Sequence, residues 1–262
     1  MNICVIGNSK RSSLLAENLK KYGYSVRHIT DGMFLSSIIE SDYIVLPIPT
    51  LLPNGCINIE NSKKEIEKYF SKNSIIIGYN FHCETNKTVD LSLREDFAYL
   101  NAIPTAEGAI ATALNNSDTS LFYSKILITG FGRVSKILAD RLLGLKCKVT
   151  IAARSDRDLS LATALGYDAM HIKDLENTIE NFDIVFQTVP SLILSQNLLK
   201  KMNKNTLIIE LSSKSVGTDT NFAKTNGNNL INAAALPEKV SPNTAANILT
   251  LCVLKIINET SD

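Results

Sequence analysis

The sequence predicts an α/β protein built from two Rossmann-like domains, each with a parallel sheet, linked by long helices that run between the domains. Short apolar runs rich in β-branched residues alternate with amphipathic segments along both halves of the chain. This alternation is typical of parallel sheets that helices cover on both faces. A length of 262 residues with 45% hydrophobic residues is sufficient for two cores of modest size.

Charge and composition narrow the functional class. Lys and Arg number 27 against 26 Asp and Glu, so the charge favours neither nucleic acid nor a membrane surface as a partner. No apolar run reaches the roughly 18 residues that cross a bilayer, and no signal peptide is expected. The five cysteines form no CxxC motif and the three histidines have no metal-ligand spacing. We therefore expect a cytoplasmic protein with reduced thiols and no metal.

The first domain is expected to span residues 1–102 and to serve substrate or partner binding. Strands are predicted at 2–7, 25–30, 43–47, 74–79 and 96–101, and helices at 12–22, 33–40 and 63–70. A C-terminal helix at 242–257 has Ser241 as its N-cap and Pro242 at its first position. We expect residues 242–262 to pack back onto the first domain.

The second domain, residues 103–241, is expected to be the dinucleotide-binding domain. Its predicted strands are 125–129, 148–153, 183–188, 206–211 and 229–232, and its predicted helices are 105–114, 133–144, 156–165 and 195–201. The first domain has a similar strand–turn–helix start at Gly7. It lacks a second glycine, however, and the side chains from Asn8 to Arg11 would crowd a pyrophosphate.

The most informative stretch is 125–155, which has the pattern of a strand, a glycine turn, a helix and a second strand. Gly130 permits the tight turn, and Gly132 lets the backbone approach a pyrophosphate. The helix that follows directs the N–H groups of Arg133 and Val134, and its positive dipole end, towards that charge.

The end of the second strand indicates which dinucleotide is bound. An acidic residue there would accept from the 2′-hydroxyl of NAD, whereas this chain has Arg154 and Ser155 after Ala153, which suits the 2′-phosphate of NADP. Alternatively, Arg154 is an ordinary exposed charge at a strand end and does not bind a nucleotide. Ser135 stands at the third glycine position and is small enough for close helix–strand packing. The predicted cofactor-binding residues are Gly130, Phe131, Gly132, Arg133, Val134, Ala153, Arg154, Ser155, Thr188, Val189, Pro190 and Leu211.

Substrate contacts are predicted from polar residues near strand and helix ends: Arg11, Thr105, Ser212 and Ser213. Arg11 follows the first strand near a helix N-terminus, where it could bind a carboxylate or form a solvated basic turn. Ser212 and Ser213 follow a strand of the second domain, at the sheet edge that lines ligand crevices in such folds, or else form a solvated loop. Thr105 and Glu107 fall at a predicted helix start. As alternatives to a role at the site, the Thr105 hydroxyl belongs to the helix cap and the Glu107 carboxylate complements the helix dipole.

The lack of histidine near the end of the second domain is also informative. Oxidation of a 2-hydroxy acid needs a base for the hydroxyl proton, usually histidine, and residues 206–242 contain none. An ordinary 2-hydroxy-acid dehydrogenase is therefore disfavoured. A reaction that takes hydride from a ring carbon could use a weaker base.

Taken together, these motifs resemble the family of the dipicolinate synthase A subunits of spore-forming bacteria. The resemblance covers nearly all of 101–257 in order and at near-constant spacing. The matching stretches are Asn101–Gly108, Gly130–Val134, Ala153–Ser155, Thr188–Ser191, Ser213–Lys214, Gly217–Asp219, Leu236–Pro237, Lys239–Val240 and Pro242–Ala245, with Gly7, Arg11 and Leu46–Pro49 in the first domain.

The resemblance implies an NADP-dependent CH–CH dehydrogenase that acts on a cyclic dicarboxylate. With the flavoprotein B subunit of dipicolinate synthase, it would oxidise a dihydrodipicolinate-type intermediate of the lysine pathway to dipicolinate, in the mother-cell cytoplasm during sporulation. Arg11 and Lys214 are then candidates for binding the carboxylates. Glu107 and Lys214 are candidates for accepting the proton.

Two other functions stay open on the sequence. One is a non-catalytic NADP-binding subunit that depends on the flavoprotein for turnover, and the other is a divergent 2-hydroxy-acid or amino-acid dehydrogenase. The oligomeric state is not determined by the sequence, and a homo-oligomer is compatible with it.

Overall fold

The computed structural model describes residues 1–33, 40–62, 66–212 and 216–261. The chain divides into two compact units, one formed by residues 1–101 with 241–262 and the other by residues 102–240. Each unit contains one parallel sheet with helices, so the predicted fold class is confirmed. The helix predicted at 33–40 and part of the one predicted at 63–70 fall outside the described residues.

The first unit is built on a five-stranded sheet. The strands are β1 (Asn2–Ile6), β2 (Ser25–Ile29), β3 (Tyr43–Val45), β4 (Ile75–Gly78) and β5 (Thr88–Asp90), in the order β2-β1-β3-β4-β5. All neighbouring pairs are parallel. The helices are α1 (Lys10–Lys21), the start of α2 (Glu95–Asn115) and α8 (Pro242–Thr260).

The C-terminal helix α8 is part of the core of the first unit. Val253 and Ile256 are fully buried in one hydrophobic cluster with Leu15 and Leu19 of α1. The side chain of Asn18 donates a hydrogen bond to Asn247 across these two helices, at 2.9 Å. Helix α8 therefore completes one face of the first sheet, although it comes from the opposite end of the chain.

Helix α2 differs most from the sequence prediction. The strand predicted at 96–101 is wrong, because these residues are helical, and the helix predicted from Thr105 begins at Glu95. Pro104 lies inside the helix and removes only one N–H donor from it. The full burial of Phe97 in the core anchors the first turns, and this tertiary packing outweighs the local signal of the proline.

The second unit is built on a six-stranded parallel sheet. Its strands are β6 (Lys125–Thr129), β7 (Lys148–Ala153), β8 (Asp168–His171), β9 (Ile184–Gln187), β10 (Leu207–Glu210) and β11 (Asn229–Asn232). Its helices, besides the end of α2, are α3 (Arg133–Gly144), α4 (Asp156–Ala164), α5 (Gln196–Lys201), α6 (Thr220–Thr225) and α7 (Leu236–Val240). Strand β8 and helices α6 and α7 were missed from the sequence.

The strand order of the second sheet is β11-β10-β9-β6-β7-β8. Numbered from β6, this is the 3-2-1-4-5-6 order of a dinucleotide-binding sheet. Helices α3 and α4 bury Leu138 and Ala162 on one face, whereas α5 and α6 bury Leu199 and Ala223 on the other. The chain therefore reverses its winding direction between β6 and β9.

The start of α8 agrees with the sequence prediction in position but not in side-chain capping. Ser241 occupies the N-cap position and Pro242 the first turn, but the Ser241 side chain makes no capping hydrogen bond.

Among the residues described, no helix is both long and apolar enough to span a membrane.

An ion-pair network joins α2 to α8 within the first unit. Arg94 contacts Asp96 at 2.8 Å and Glu259 at 2.6 Å, and Lys255 contacts Asp96 at 2.8 Å. Hydrogen bonds from Arg94 and then from Lys255 hold the pKa of Asp96 well below its usual range. The ionised form of Asp96 therefore stabilises the folded state.

We expect Asp96→Asn to lower the free energy of unfolding by a constant amount above about pH 5. Because the folded-state pKa is depressed, the wild-type advantage should shrink as the pH falls below about 4, where the unfolded carboxyl gains its proton. Urea unfolding at a series of pH values measures this. Asp118→Asn, at an exposed turn, is the matched control, and an Asp96→Asn deficit that persists undiminished at pH 2 would contradict the account.

Candidate functional site

The carboxyl ends of β6 and β9 form the centre of the candidate site. These two strands are neighbours in the sheet, and the connections that leave them cross opposite faces. In open α/β sheets, ligands bind at the crevice outside the carboxyl ends of such a pair. The glycine turn after β6 and the Thr188–Pro190 segment after β9 meet here.

The two glycines of the turn have different physical roles. Gly130 has φ of +77°, and a Cβ on it would lie 2.7 Å from Cγ2 of Val189. Conformation and contact both require glycine at this position. Gly132 has an ordinary extended backbone, and a Cβ there would meet no described atom within 4 Å. The space beside Gly132 is therefore open to a ligand.

Helix α3 begins at this open space without a side-chain cap. Its N-cap is Gly132, which has no side chain to accept from the N–H groups of the first turn. The exposed Arg133 and half-buried Val134 form that turn. The ring of Phe131 is buried against Tyr167. Only the main chain of this residue is therefore available to a ligand. Uncapped N–H groups and the helix dipole make this end a site for an anion.

Ser135 fixes the helix to the neighbouring strand end. Its side chain is buried, and its hydroxyl lies 2.8 Å from that of Thr188, at the end of β9. Thr188 in turn donates to the carbonyl of Thr129 at 2.6 Å. The serine at the third glycine position is thus small enough to pack and also ties α3 to β6 and β9.

The end of β7 carries the residues predicted to select the nucleotide. Ala153 is buried, and the exposed Arg154 donates from Nη2 to the hydroxyl of Ser191 at 2.8 Å. The guanidinium retains further N–H donors for a ligand. Ser155 is the N-cap of α4, and its hydroxyl accepts from the N–H of Asp158 at 3.1 Å. Its O–H proton is still available for donation.

A row of buried polar side chains crosses the sheet edge, and sequence reasoning missed it. Thr129, Gln187 and Glu210 are the last residues of β6, β9 and β10 and pair with one another in register. Their exposures are 0%, 0% and 1%. A polar residue that ends an apolar strand is the signal that could have identified them.

The side chain of Gln187 organises the turn after β9. Its Oε1 accepts from the Thr129 hydroxyl and from the N–H of Val189, and its Nε2 donates to the Val189 carbonyl at 2.9 Å. Pro190 follows and is exposed. The backbone of the turn is therefore held by the strand that precedes it.

Glu210 organises the segment after β10 in a similar way. Its Oε1 accepts from both the N–H and the hydroxyl of Ser212, which is buried. The N–H of the half-buried Leu211 donates to the carbonyl of Gln187 at 2.7 Å. Ser212 was predicted to contact the substrate, but both its main-chain N–H and its hydroxyl donate to Glu210. Ser213 and Lys214 lie outside the described residues.

The structure corrects the local interpretation of Thr105 and Glu107. Both lie well inside α2, so neither can cap a helix start or complement its dipole. Glu107 contacts Arg141 at 3.3 Å, in the last turn of α3. Arg141 is eight residues beyond Arg133, which places Glu107 about 12 Å along the helix axis from the glycine turn. Within this unit, Glu107 is separated from the other site residues.

Arg11 lies in the first unit, in the first turn of α1. Its side chain is 4% exposed, so it is not a solvated basic residue. Ser9 caps the helix by accepting from the N–H of Ser12 at 3.2 Å. The predicted carboxylate-binding role of Arg11 is still a prediction.

The site residues fit a dinucleotide. The open space at Gly132, the uncapped start of α3 and the remaining donors of Arg154 lie at the ends of two adjacent strands, β6 and β7, of a sheet with the 3-2-1-4-5-6 order. Among the described residues, no group of His, Cys, Asp and Glu side chains is arranged to hold a metal ion.

Comparison with known proteins supports this interpretation. Residues 112–236, within the second unit, match the family described as Shikimate / quinate 5-dehydrogenase. A segment of 173 residues is 35% identical to the A subunit of dipicolinate synthase of Bacillus subtilis strain 168 and covers 66% of this chain. The match spans 58% of the length of that protein.

Two solved structures are similar over the whole chain. The A subunit of dipicolinate synthase from Bacillus halodurans superposes with a TM-score of 0.88 at 25% identity, covering 98% of this chain and 97% of that one. The A chain of dipicolinate synthase from Bacillus subtilis gives a TM-score of 0.87 at 26% identity, covering 99% and 96%.

Fold and site together define the class of the protein: it has the dehydrogenase fold, and its second unit has the features of an NAD(P)-binding unit. Within that class, the resemblance to the family of dipicolinate synthase A subunits is confirmed.

The two glycines of the turn generate a paired prediction. We expect Gly130→Ala to destabilise the protein by about 2 kcal/mol, because the left-handed backbone alone costs about 1–2 kcal/mol and Val189 is in the way. Gly132→Ala should cost less than about 1 kcal/mol, since the site is open. Urea unfolding measures both, and equal unfolding midpoints for the two variants would show that the turn does not constrain Gly130.

Proposed function

We propose that the second unit binds NADP, with its pyrophosphate at the start of α3. The observation that carries this proposal is the uncapped helix behind the open Gly132, at the point where the winding of the sheet reverses. Main-chain N–H groups of the first turn donate to the phosphate oxygens, and Arg133 adds positive charge near them. The likeness to dehydrogenases over residues 112–236 supports this placement.

Selection of NADP over NAD rests on Arg154. The residue follows β7 directly, where the ribose of the adenosine half lies in sheets of this order. A guanidinium binds a phosphate through several parallel N–H donors, and no acidic side chain occupies positions 153–155 to accept from a free 2′-hydroxyl. Ser191, in the segment after β9, accepts a hydrogen bond from the guanidinium and holds it in place across the end of β6.

We expect Arg154→Ala to weaken NADP binding about tenfold or more and to leave NAD binding within about twofold. Arg157→Ala is the matched control, because this arginine is also exposed but lies in the first turn of α4. Isothermal titration of the wild type and the two variants with both nucleotides measures the six affinities. Equal losses for NADP and NAD in Arg154→Ala would refute the 2′-phosphate contact.

The proposed reaction is the oxidation of a dihydrodipicolinate-type cyclic dicarboxylate to dipicolinate, and the relatives that are named dipicolinate synthases support it. NADP supplies the hydride acceptor when bound. The contribution of the chain is to orient the nucleotide, through the Gly130 turn and the link between Thr188 and α3, and to bind the two carboxylates.

The proposed substrate contacts come from two basic residues. Arg11 and Lys214 are the proposed carboxylate ligands, and Glu107 and Lys214 are the two proposed candidates for the proton acceptor. Lys214 would accept a proton only as the neutral amine, so it cannot serve as cationic carboxylate ligand and proton acceptor at once. Glu107 contacts Arg141 at 3.3 Å and would have to leave that ion pair to accept a proton.

The proposed partner is the flavoprotein B subunit of dipicolinate synthase, and the proposed setting is the mother-cell cytoplasm of a sporulating bacterium. The relatives are named as one lettered subunit or chain of dipicolinate synthase, which motivates a second subunit here. The partner also defines the main alternative, in which this chain binds NADP but turns over only in a complex.

One experiment tests the reaction and separates the alternatives. The purified chain is mixed with NADP and freshly generated dihydrodipicolinate, with and without the flavoprotein, and NADPH and dipicolinate are quantified. Equal amounts of both products without the flavoprotein would establish a self-sufficient dehydrogenase. Products only with the flavoprotein would establish a dependent subunit. Turnover of simple 2-hydroxy acids, with none of dihydrodipicolinate, would contradict the proposed reaction.

A further inference from the structure

Two buried polar atoms at the carboxyl edge of the second sheet have no hydrogen-bond partner among the described residues. They are Oε2 of Glu210 and Oγ1 of Thr218, on side chains that are 1% and 4% exposed. A buried polar group without a partner is costly, and such groups are rare in folded proteins. Two of them at the edge of a ligand crevice therefore need an explanation.

The orientation of the Glu210 carboxylate is fixed by its other oxygen. Oε1 accepts two hydrogen bonds from Ser212, one from the main-chain N–H and one from the hydroxyl. Gln187 and Thr129, the neighbours of Glu210 in the polar row, use their side-chain oxygens within the row. Oε2 is thus the oxygen of this row that is left for another donor.

Thr218 lies in a segment that packs against the same row. A Cβ on the preceding Gly217 would fall 1.5 Å from Nε2 of Gln187, so the main chain here rests directly on that amide. The Gly217 carbonyl accepts from the N–H groups of Ile193 and Leu194, at 2.9 and 3.0 Å. On the other side, the N–H of Asp219 donates to the Leu194 carbonyl at 3.1 Å, so the Thr218 backbone is anchored by both of its neighbours.

The sheet topology indicates which part of a dinucleotide comes to this edge. A dinucleotide crosses the crevice with one mononucleotide on each half of the sheet. Gly130 and Arg154 belong to the β6–β7 half, where the adenosine part is proposed to lie. The β9–β10 half, which carries Glu210, is then left for the nicotinamide part.

We propose that Oε2 of Glu210 accepts a hydrogen bond from the carboxamide N–H of the nicotinamide ring, and that the Thr218 hydroxyl is its second polar partner. This inference rests on the proposed binding of NADP to this unit. A carboxamide presents both an N–H donor and a carbonyl acceptor, which match a carboxylate and a hydroxyl. Glu210 is in this account a positioning residue, which sets the orientation of the ring and discriminates against rings without an N–H donor.

The test compares NADP with its 3-acetylpyridine analogue, in which a methyl group replaces the amide NH₂. Wild-type protein and Glu210→Gln are titrated with both. In the variant, the amide oxygen replaces Oε1 because Ser212 presents two donors, so an NH₂ group takes the place of Oε2. We expect the wild type to bind NADP about tenfold or more tightly than the analogue, and the variant to lose that preference. Adenosine 2′,5′-bisphosphate, which lacks the ring, should bind both proteins equally.

The outcomes separate this inference from the proposed function. An equal effect of Glu210→Gln on NADP and the analogue, or no effect on either, would overturn the inference and point to a structural role or an ordered water. Failure of the wild type to bind adenosine 2′,5′-bisphosphate and NADP would contradict the proposed function instead. Thr218→Val is the second variant, should Glu210→Gln not fold. It should weaken NADP and the analogue by the same severalfold factor, because both keep the carbonyl that the hydroxyl would donate to, without changing the affinity for adenosine 2′,5′-bisphosphate. Unchanged affinities for both nucleotides would contradict the Thr218 contact.

Discussion

The left-handed turn at Gly130 is the constraint on which the candidate site depends. It brings the start of α3 over the carboxyl end of β6, where the winding of the sheet reverses. The hydrogen bond between Thr129 and Gln187 joins the ends of β6 and β9. Thr188 bonds to the Thr129 carbonyl and to Ser135, and this fixes α3 to both strand ends. Because every member of this network is buried or half-buried, movement of one would leave polar groups unpaired.

Electrostatics at the edge follow from that geometry. Uncapped N–H groups and Arg154 make the β6–β7 half favourable for phosphates. The β9–β10 half is different in character, because it carries the buried carboxylate of Glu210, whose Oε2 has no partner among the described residues. A dinucleotide has the same asymmetry, with its phosphates on one side and a neutral amide on the other. The two halves of the edge are thus complementary to the two ends of one ligand.

The sequence predicted the second unit better than the first, for physical reasons. Strands β6 and β7 and helix α3 matched to the residue, because their apolar periodicity agrees with their turn glycines. Helix α2 was misread because Pro104 is locally a helix-start signal, and only the tertiary burial of Phe97 extends the helix past it. The polar row was missed because Gln187 and Glu210 become neighbours only through the register of two strands that are distant in sequence.

The most direct test of the account is a crystal structure of the protein with NADP. We expect pyrophosphate density beside Gly132 at the start of α3, the 2′-phosphate on Arg154 and the nicotinamide ring near Glu210. The nucleotide at the other glycine turn, at Gly7 of the first unit, would contradict it. So would a pyrophosphate bound in the second unit without contact to the first turn of α3.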